Sequence, residues 1–360
     1  MRAFYRLSLR ALYHLDNKSL YRLARLFYLP RISNIQLHIT DLCNYRCIYC
    51  YAKDAGSSLE KKDWVGILRQ AKQSLGIRKV SILGGEPLCA PYLEEILIEA
   101  KRLAIKPYLY TNGALLTDEW IDMLRRYKAI VVFKYEYNNE LYQKYTQQYT
   151  TSLDDLEKKI RQCSSQGLRS MTFTALHKQN IQHAEAIFDN SLRLGALPAL
   201  ERYLPVCEDA INKLLEVSEE EYSAAMKKIA YRMRHVMKEW LAALRIAGRG
   251  CGCFIDNLTI LSSGETLPCP YLPEKLSLGN IKKEPLEKIY KRYQEKNATE
   301  YKPGGQCDKC SQEAECGGGC FTYAYLKEGR LRPYCNADNS IGFCSFLLID
   351  LYDDIAKIKL

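Results

Sequence analysis

The sequence predicts an α/β fold built on a parallel sheet, followed by a second, cysteine-rich domain. Three observations predict it. Six short segments rich in β-branched and aromatic residues alternate with helical periodicities between residues 33 and 205. The connections between them are short. The composition then changes, and nine of the fifteen cysteines lie from Cys251 onward, among many Gly and Pro. Regular strand–helix alternation implies parallel strands with helical crossovers, either curled as a barrel or doubly wound.

Residues 1–32 form a basic N-terminal segment, with two short amphipathic helices over 3–28 broken near Asp16 and Asn17. Strands are expected over 35–40 (IQLHIT), 79–83 (KVSIL), 106–111 (KPYLYT), 129–134 (AIVVFK), 169–175 (RSMTFTA) and 199–204. Helices are expected over 59–75, 91–104, 117–127, 153–166 and 180–194, which completes a domain over 33–205. Residues 206–250 read as a helical linker, because Ser218-x-x-Glu221 is a capping box opening a long helix toward Ala247. The cysteine-rich domain spans 251–344, and a last helix covers 345–360.

The 360 residues suffice for one large and one smaller domain, and 47% apolar residues suffice for a core. The net charge of +10 is uneven, since residues 1–31 hold seven Lys or Arg against Asp16 alone. The remainder is mildly basic, so no nucleic-acid-binding surface is required. Phe4, Leu7, Leu12, Leu20, Leu23 and Phe27 give the basic helices an apolar face. That face either contacts an anionic membrane surface peripherally or packs on the barrel, and packing is the commoner use. No segment reads as a transmembrane span, and Arg6, Arg10 and His14 interrupt any secretory signal. An odd cysteine count with tight spacings suits metal binding in a reducing cytoplasm better than a disulfide framework. The twenty-seven tyrosines have no account at the level of sequence.

Directly after the first strand comes Asp41-Leu42-Cys43-Asn44-Tyr45-Arg46-Cys47-Ile48-Tyr49-Cys50, a C-x3-C-x2-C spacing. Three thiolates on one loop can bind three irons of a cubane cluster and leave the fourth open for chemistry. The alternative is a zinc ion completed by a distant ligand. The loop lies at the carboxyl end of a strand, where parallel α/β proteins place their active sites. The second strand runs into Gly84-Gly85-Glu86-Pro87, where glycines permit close backbone approach to a ligand and a carboxylate can bind an ammonium.

Together these features resemble the radical S-adenosylmethionine (SAM) superfamily. Cys43, Cys47 and Cys50 match its cluster triad, and Tyr49 the aromatic residue before the third cysteine. Gly84, Gly85, Glu86 and Pro87 match its GGEP segment, which holds the amino group of SAM, and Thr111-Asn112-Gly113 another common turn. The resemblance implies a partial (β/α)6 barrel. It also implies that polar groups after strands four and five bind the SAM ribose. Here those are Lys134, Glu136 or Thr174, each of which reads equally as an ordinary strand end.

A second array runs Cys253, ten residues, Gly264, four residues, Cys269, then Cys307-x2-Cys310-x5-Cys316-x3-Cys320 and Cys335. It resembles the SPASM domain, an iron–sulfur extension of peptide- and protein-modifying radical SAM enzymes. The resemblance implies two auxiliary [4Fe–4S] clusters, one on Cys251, Cys253, Cys269 and Cys320 and one on Cys307, Cys310, Cys316 and Cys335, with Cys344 an alternative last ligand. Two structural zinc sites are the competing reading.

The resemblance implies the reaction too: SAM chelated at the open iron, its reductive cleavage to a 5′-deoxyadenosyl radical, and hydrogen abstraction from a substrate. An external donor of the flavodoxin or ferredoxin type supplies the electron. The substrate is expected to be a ribosomally made peptide, with a separate recognition protein because only some 33 residues precede the first strand. The alternatives are a small metabolite such as an aminoglycoside, lipid or tetrapyrrole, and a non-catalytic electron carrier. Cys207, after the sixth strand, belongs to neither array. It is a candidate hydrogen-atom donor, or else a small apolar residue.

Overall fold

The structure is a computed structural model that describes residues 32–52, 59–148, 150–207, 209–236, 257–299 and 320–331. The basic helices expected over 3–28, the end of the linker helix and the helix expected over 345–360 lie outside them. So do Cys251, Cys253, Cys307, Cys310, Cys316, Cys335 and Cys344.

The chain alternates as β1 (Asn34–His38), α1 (Lys61–Gln70), β2 (Lys79–Leu83), α2 (Leu93–Arg102), β3 (Lys106–Thr111), α3 (Asp118–Arg126) and β4 (Ile130–Lys134). Helices α4 (Asn139–Thr146) and α5 (Leu153–Ser165) follow, then β5 (Ser170–Leu176), α6 (Ala184–Arg193) and β6 (Leu197–Arg202). Helix α7 (Asp209–Leu215) leads to α8 (Glu219–Val236). Beyond these lie β7 (Asn257–Ile260), β8 (Glu265–Leu267), β9 (Gly279–Asn280), α9 (Leu286–Thr299) and α10 (Phe321–Glu328).

Local chemistry sets the helix starts. Thr117 accepts from the Trp120 amide, and Ser152 and Asp155 form a reciprocal capping box. The box expected before α8 is present: the Ser218 amide donates to Glu221, whose own amide donates to the Ser218 hydroxyl. Helix α4 was not expected from the sequence, and α7 falls in the segment read as a helical linker. Among the described residues no helix is long and apolar enough to cross a membrane.

The sheet order is β6-β5-β4-β3-β2-β1-β7-β8-β9. Strands β1 to β6 are all parallel and in sequence order. Right-handed crossovers that never reverse direction put every helix on one face, as in a barrel. A doubly wound sheet needs a reversal of strand order, so the architecture is the barrel-type one. Its helix-covered face carries Ile35, Leu37, Val80, Ile82, Leu109, Val131 and Phe133, all buried. Thr172 on this face bonds Ser191 of α6 at 2.7 Å. The opposite face carries Gln36, His38, Ser81, Tyr110, Lys134 and Phe173.

The sheet does not stop at the domain boundary expected near 206–250. Strand β7 adds in parallel to the free side of β1, pairing Asn34 with Asn257 and Leu37 with Ile260. Strands β8 and β9 then continue antiparallel. Gly264 makes the turn between β7 and β8 at φ +90°, where a Cβ would lie 2.8 Å from the Asn280 side chain. The glycine of the G-x4-C spacing is thus a turn requirement.

Candidate active site at the carboxyl rim

The carboxyl ends of β1 to β7 share one rim, and the loop bearing Cys43, Cys47 and Cys50 crosses it. Backbone bonds hold this loop on two sides. Toward β2, the Gly85 amide donates to Thr40 O and the Glu86 amide to Leu42 O, both at 2.7 Å. Toward α4, the Arg46 amide donates to Thr146 O at 3.2 Å and the Ile48 amide to Tyr145 O at 3.0 Å. Side chains add further ties. The Ser262 hydroxyl lies 2.7 and 2.6 Å from the two Asp41 oxygens, Tyr45 and Tyr142 share a bond of 2.9 Å, and Asn112 donates to Asn44 at 2.8 Å. The Arg46 guanidinium donates to the carbonyls of Cys43 and Tyr45 at 3.0 and 3.1 Å.

The glycines of the Gly84-Gly85 turn have a different reason from the one the sequence suggested. A Cβ on Gly84 would lie 2.3 Å from Thr40 O, and one on Gly85 2.3 Å from Leu42 O. What approaches closely is the backbone of the cysteine loop itself. The turn and the loop are therefore one construction, and substitution of either glycine must displace backbone.

Glu86 is buried to 1% exposure. Its carboxylate accepts from the Thr111 hydroxyl at 2.8 Å, the Asn112 amide at 2.8 Å and the Leu88 amide at 3.1 Å. Burial pushes the carboxyl up to about 7 even though all three donors pull it down. A carboxylate has about four acceptor positions, so one remains for a further donor. Pro87 opens a short 3₁₀ turn, Pro87–Cys89, that supplies the Leu88 amide. Thr111 and Asn112 thus reach the site through Glu86.

Glu136, just past β4, is the second buried carboxylate. It accepts from the Tyr49 phenol at 2.9 Å, the Lys134 ammonium at 2.9 Å and the Asn180 amide at 3.2 Å. His177 Nε2 lies 3.5 Å from it, at the outer limit of a hydrogen bond, and counts here as an electrostatic contact. Burial alone would raise its carboxyl, but the Lys134 charge and the His177 ring hold it at about 2. Lys134 also lies 4.9 Å from the Tyr49 ring centroid and 5.7 Å from that of Phe173. Thr174 is fully buried on the helix-covered face, and its hydroxyl donates to Tyr135 O at 2.9 Å.

Burial pushes the Cys43 thiol up to about 11 and the Cys47 thiol up to about 12, and raises Cys50 too. Without a positive centre these sulfurs stay protonated; thiolate ligation needs one to hold the charge. Among the described residues no three His, Cys, Asp or Glu side chains converge on a single-ion site. A cubane corner instead asks for three separate irons, each with its own thiolate. Three thiols on one braced loop, beside a buried carboxylate with spare acceptor capacity, fit that donor set and an amino-acid ligand.

Cys207 follows β6 and is close enough to Cys50 for the two thiols to interact electrostatically. Asn212 of α7 pins its backbone, accepting from the Cys207 amide at 3.2 Å and donating to its carbonyl at 2.7 Å. Of the auxiliary cysteines, Cys269 is buried at 2% exposure, and Cys320 caps α10, its sulfur accepting from the Tyr323 amide at 3.3 Å. Tyr271, two residues after Cys269, meets Tyr51 of the cysteine loop with ring centroids 4.5 Å apart. The tyrosines thus have a partial account: Tyr45, Tyr49, Tyr51, Tyr142, Tyr145 and Tyr271 frame the loop.

The sequence reading missed His177, Asn180, Ser262 and the whole of α4. A usable signal was the polar turn His177-x-x-Asn180 at a strand end, where Asn180 accepts from the His177 amide at 2.8 Å.

The Radical SAM superfamily model matches residues 37–190, and that of SPASM, an iron–sulfur cluster-binding domain, matches residues 251–311. The first covers the rim from β1 to α6, and the second begins at the cysteine-rich segment. The chain therefore carries a radical SAM domain followed by a C-terminal SPASM domain, and the cofactors of those domains are iron–sulfur clusters and SAM. An S-adenosylmethionine-dependent nucleotide dehydratase from a Thermoplasmatales archaeon is 30% identical over 25% of this chain and 33% of its own length. A probable GTP 3′,8-cyclase of Methanococcus maripaludis is 26% identical over 50% of this chain and 61% of its own length, so the chain spans a third to three fifths of these relatives. The subtilosin biosynthesis protein AlbA of Bacillus subtilis is 22% identical over 91% of this chain and 74% of its own length. Among solved structures, Streptococcus suis SuiB bound to precursor peptide SuiA shares the fold at 19% identity and a TM-score of 0.66, over 91% of this chain and 79% of that one.

Proposed function

We propose that this protein is a radical SAM enzyme that modifies a ribosomally synthesised peptide. One observation carries the choice of substrate class. The likeness to AlbA and to SuiB runs through 91% of the chain, including the C-terminal segment, whereas the likeness to the nucleotide dehydratase covers 25%. The part of the chain beyond the barrel is what the peptide-associated proteins have in common with it.

Cys43, Cys47 and Cys50 would hold the SAM-site cluster, and Glu86, with the turn Thr111–Asn112 behind it, would receive the amino group of SAM. When bound, the reduced cluster and SAM supply the one-electron cleavage that ends in removal of a hydrogen atom from an unreactive C–H bond. The residues of this chain supply position. The two glycines and Ser262 fix the cysteine loop from one side and α4 from the other. The buried rim excludes water around Tyr49 and Glu136. Cys269 and Cys320 would serve an auxiliary cluster. The electron comes from an external reduced flavodoxin or ferredoxin. Cys207, beside Cys50, would return a hydrogen atom to a substrate radical and become a thiyl radical, which one electron from the external donor and one proton would reduce back to the thiol, so that the substrate is inverted without net oxidation.

The test is anaerobic incubation of the reconstituted enzyme with SAM, dithionite and candidate precursor peptides in deuterated water, followed by mass spectrometry. Modified peptide together with 5′-deoxyadenosine supports the reading. Turnover of small metabolites with every peptide unchanged would refute it. One solvent deuterium in the peptide, lost with Cys207→Ala, supports the donor role, and a product two hydrogens lighter rejects it.

A further inference from the structure

Glu136 gathers donors from three separate parts of the chain: Tyr49 of the cysteine loop, Lys134 at the end of β4 and Asn180 beyond β5. Its neighbours are themselves fixed. His177 accepts from the Gln179 amide through Nδ1 at 3.2 Å, so its proton sits on Nε2, facing Glu136. Asn180 donates to Ala175 O at 3.1 Å as well as to Glu136. With three hydrogen bonds and the His177 contact, Glu136 has little acceptor capacity left for a cofactor hydroxyl. Tyr49 has a single phenolic proton and gives it to Glu136. Because Tyr49 lies between Cys47 and Cys50, this bond ties that half of the loop to the ends of β4 and β5.

We propose that Glu136 is a positioning residue that acts through Tyr49, setting the geometry of the Cys47–Cys50 half of the loop without itself being a ligand of SAM or of iron. This differs from the ribose contact that the family resemblance implied for Glu136. It rests on the reading of Cys43, Cys47 and Cys50 as cluster ligands.

The experiment is a double-mutant cycle on reconstituted full-length protein: Tyr49→Phe, Glu136→Gln and the double variant. The readouts are SAM affinity by equilibrium dialysis and the electron paramagnetic resonance spectrum of the reduced protein, with and without SAM. Each single variant should weaken SAM binding about tenfold, the scale of one hydrogen bond to a charged group. Each should shift the SAM-dependent spectrum in the same way, and the double variant should do no worse than the poorer single one. Losses that multiply in the double variant would mean that Glu136 contacts the cofactor directly and would overturn the proposal. So would wild-type affinity and spectrum in Glu136→Gln. If Glu136→Gln does not fold, Tyr49→Phe alone decides, since an unchanged spectrum there removes the link. Wild-type protein whose spectrum ignores SAM would overturn the cluster-ligand reading instead, and the proposal with it.

Discussion

Glu86 and Glu136 stand at the same rim, between β2 and β3 and just past β4, and both are buried to 1% exposure or less. Their electrostatic states are opposite. Glu86 is held by a hydroxyl and two backbone amides, all neutral, and burial pushes its carboxyl up to about 7. Glu136 has a lysine ammonium at 2.9 Å and is held at about 2. At Glu86 three neutral donors do not offset the desolvation of the carboxylate, whereas at Glu136 the neighbouring cation does. Glu86 therefore gains from a further donor or positive group, while Glu136 is already satisfied. One side of the rim is prepared to receive a ligand and the other to hold the loop still.

The largest expected effect lies on the Glu86 side. Gly85→Ala would drive a Cβ to 2.3 Å from Leu42 O, with backbone on both sides of the clash. A loss of about 3 kcal/mol or more is expected, at the upper end for single substitutions. Urea unfolding of the metal-free protein measures it, and wild-type stability would break the account of the turn and loop as one construction.

Glu86→Gln comes next. The amide has one oxygen for three donors, and the contact proposed for the amino group of SAM loses its charge. SAM affinity should fall by about 1.5–3 kcal/mol. The pH dependence sharpens the comparison. A carboxyl with its folded pKa raised adds stability below its unfolded value of about 4.5, and that contribution is lost as pH rises through about 7. The contact proposed between Glu86 and the amino group of SAM needs the ionised form, so on that reading wild-type affinity should rise as pH increases through about 7, and the Gln variant should lack that step. Equilibrium dialysis across pH 5.5–8.5 measures it; a step retained by the variant would show that another group titrates.

The smallest effect belongs to a carboxylate far from the rim. Glu99 on α2 accepts from Arg69 at 2.8 Å and from Arg102 at 2.5 Å, and hydrogen bonds from these arginines hold it at about 2. Its folded pKa is depressed, so its contribution is present above about 4.5 and lost as pH falls through about 2. Both arginines are more than half exposed, so Glu99→Gln should cost only about 1 kcal/mol at neutral pH. It should leave SAM affinity unchanged. In thermal melts the gap to wild type should narrow between pH 7 and pH 3 and close only near pH 2.

Much of the barrel was legible because its strands are short β-branched runs, and β2 and β3 fall at the limits expected from their residues alone. The cysteine loop was legible because ligand spacing on one loop is local information. The sheet's continuation was not, since β7 pairs with residues 223 positions earlier and no local pattern carries that register. Helix α4 was missed because NELYQKYT buries Leu141, Tyr142, Tyr145 and Thr146 with tyrosines as much as with aliphatic residues. The turn His177-x-x-Asn180 is local, but nothing in its spacing points to Glu136, and only the fold brings the two residues there.

The central claim is that Cys43, Cys47 and Cys50 hold the cluster that cleaves SAM. The direct measurement is anaerobic reconstitution of wild type and of the variant with all three replaced by Ala, followed by iron counting and assay of 5′-deoxyadenosine with dithionite. Three clusters give about twelve irons in wild type, and the variant should lose about four of them and all SAM cleavage. A variant that keeps its iron, or still releases 5′-deoxyadenosine, would contradict the claim.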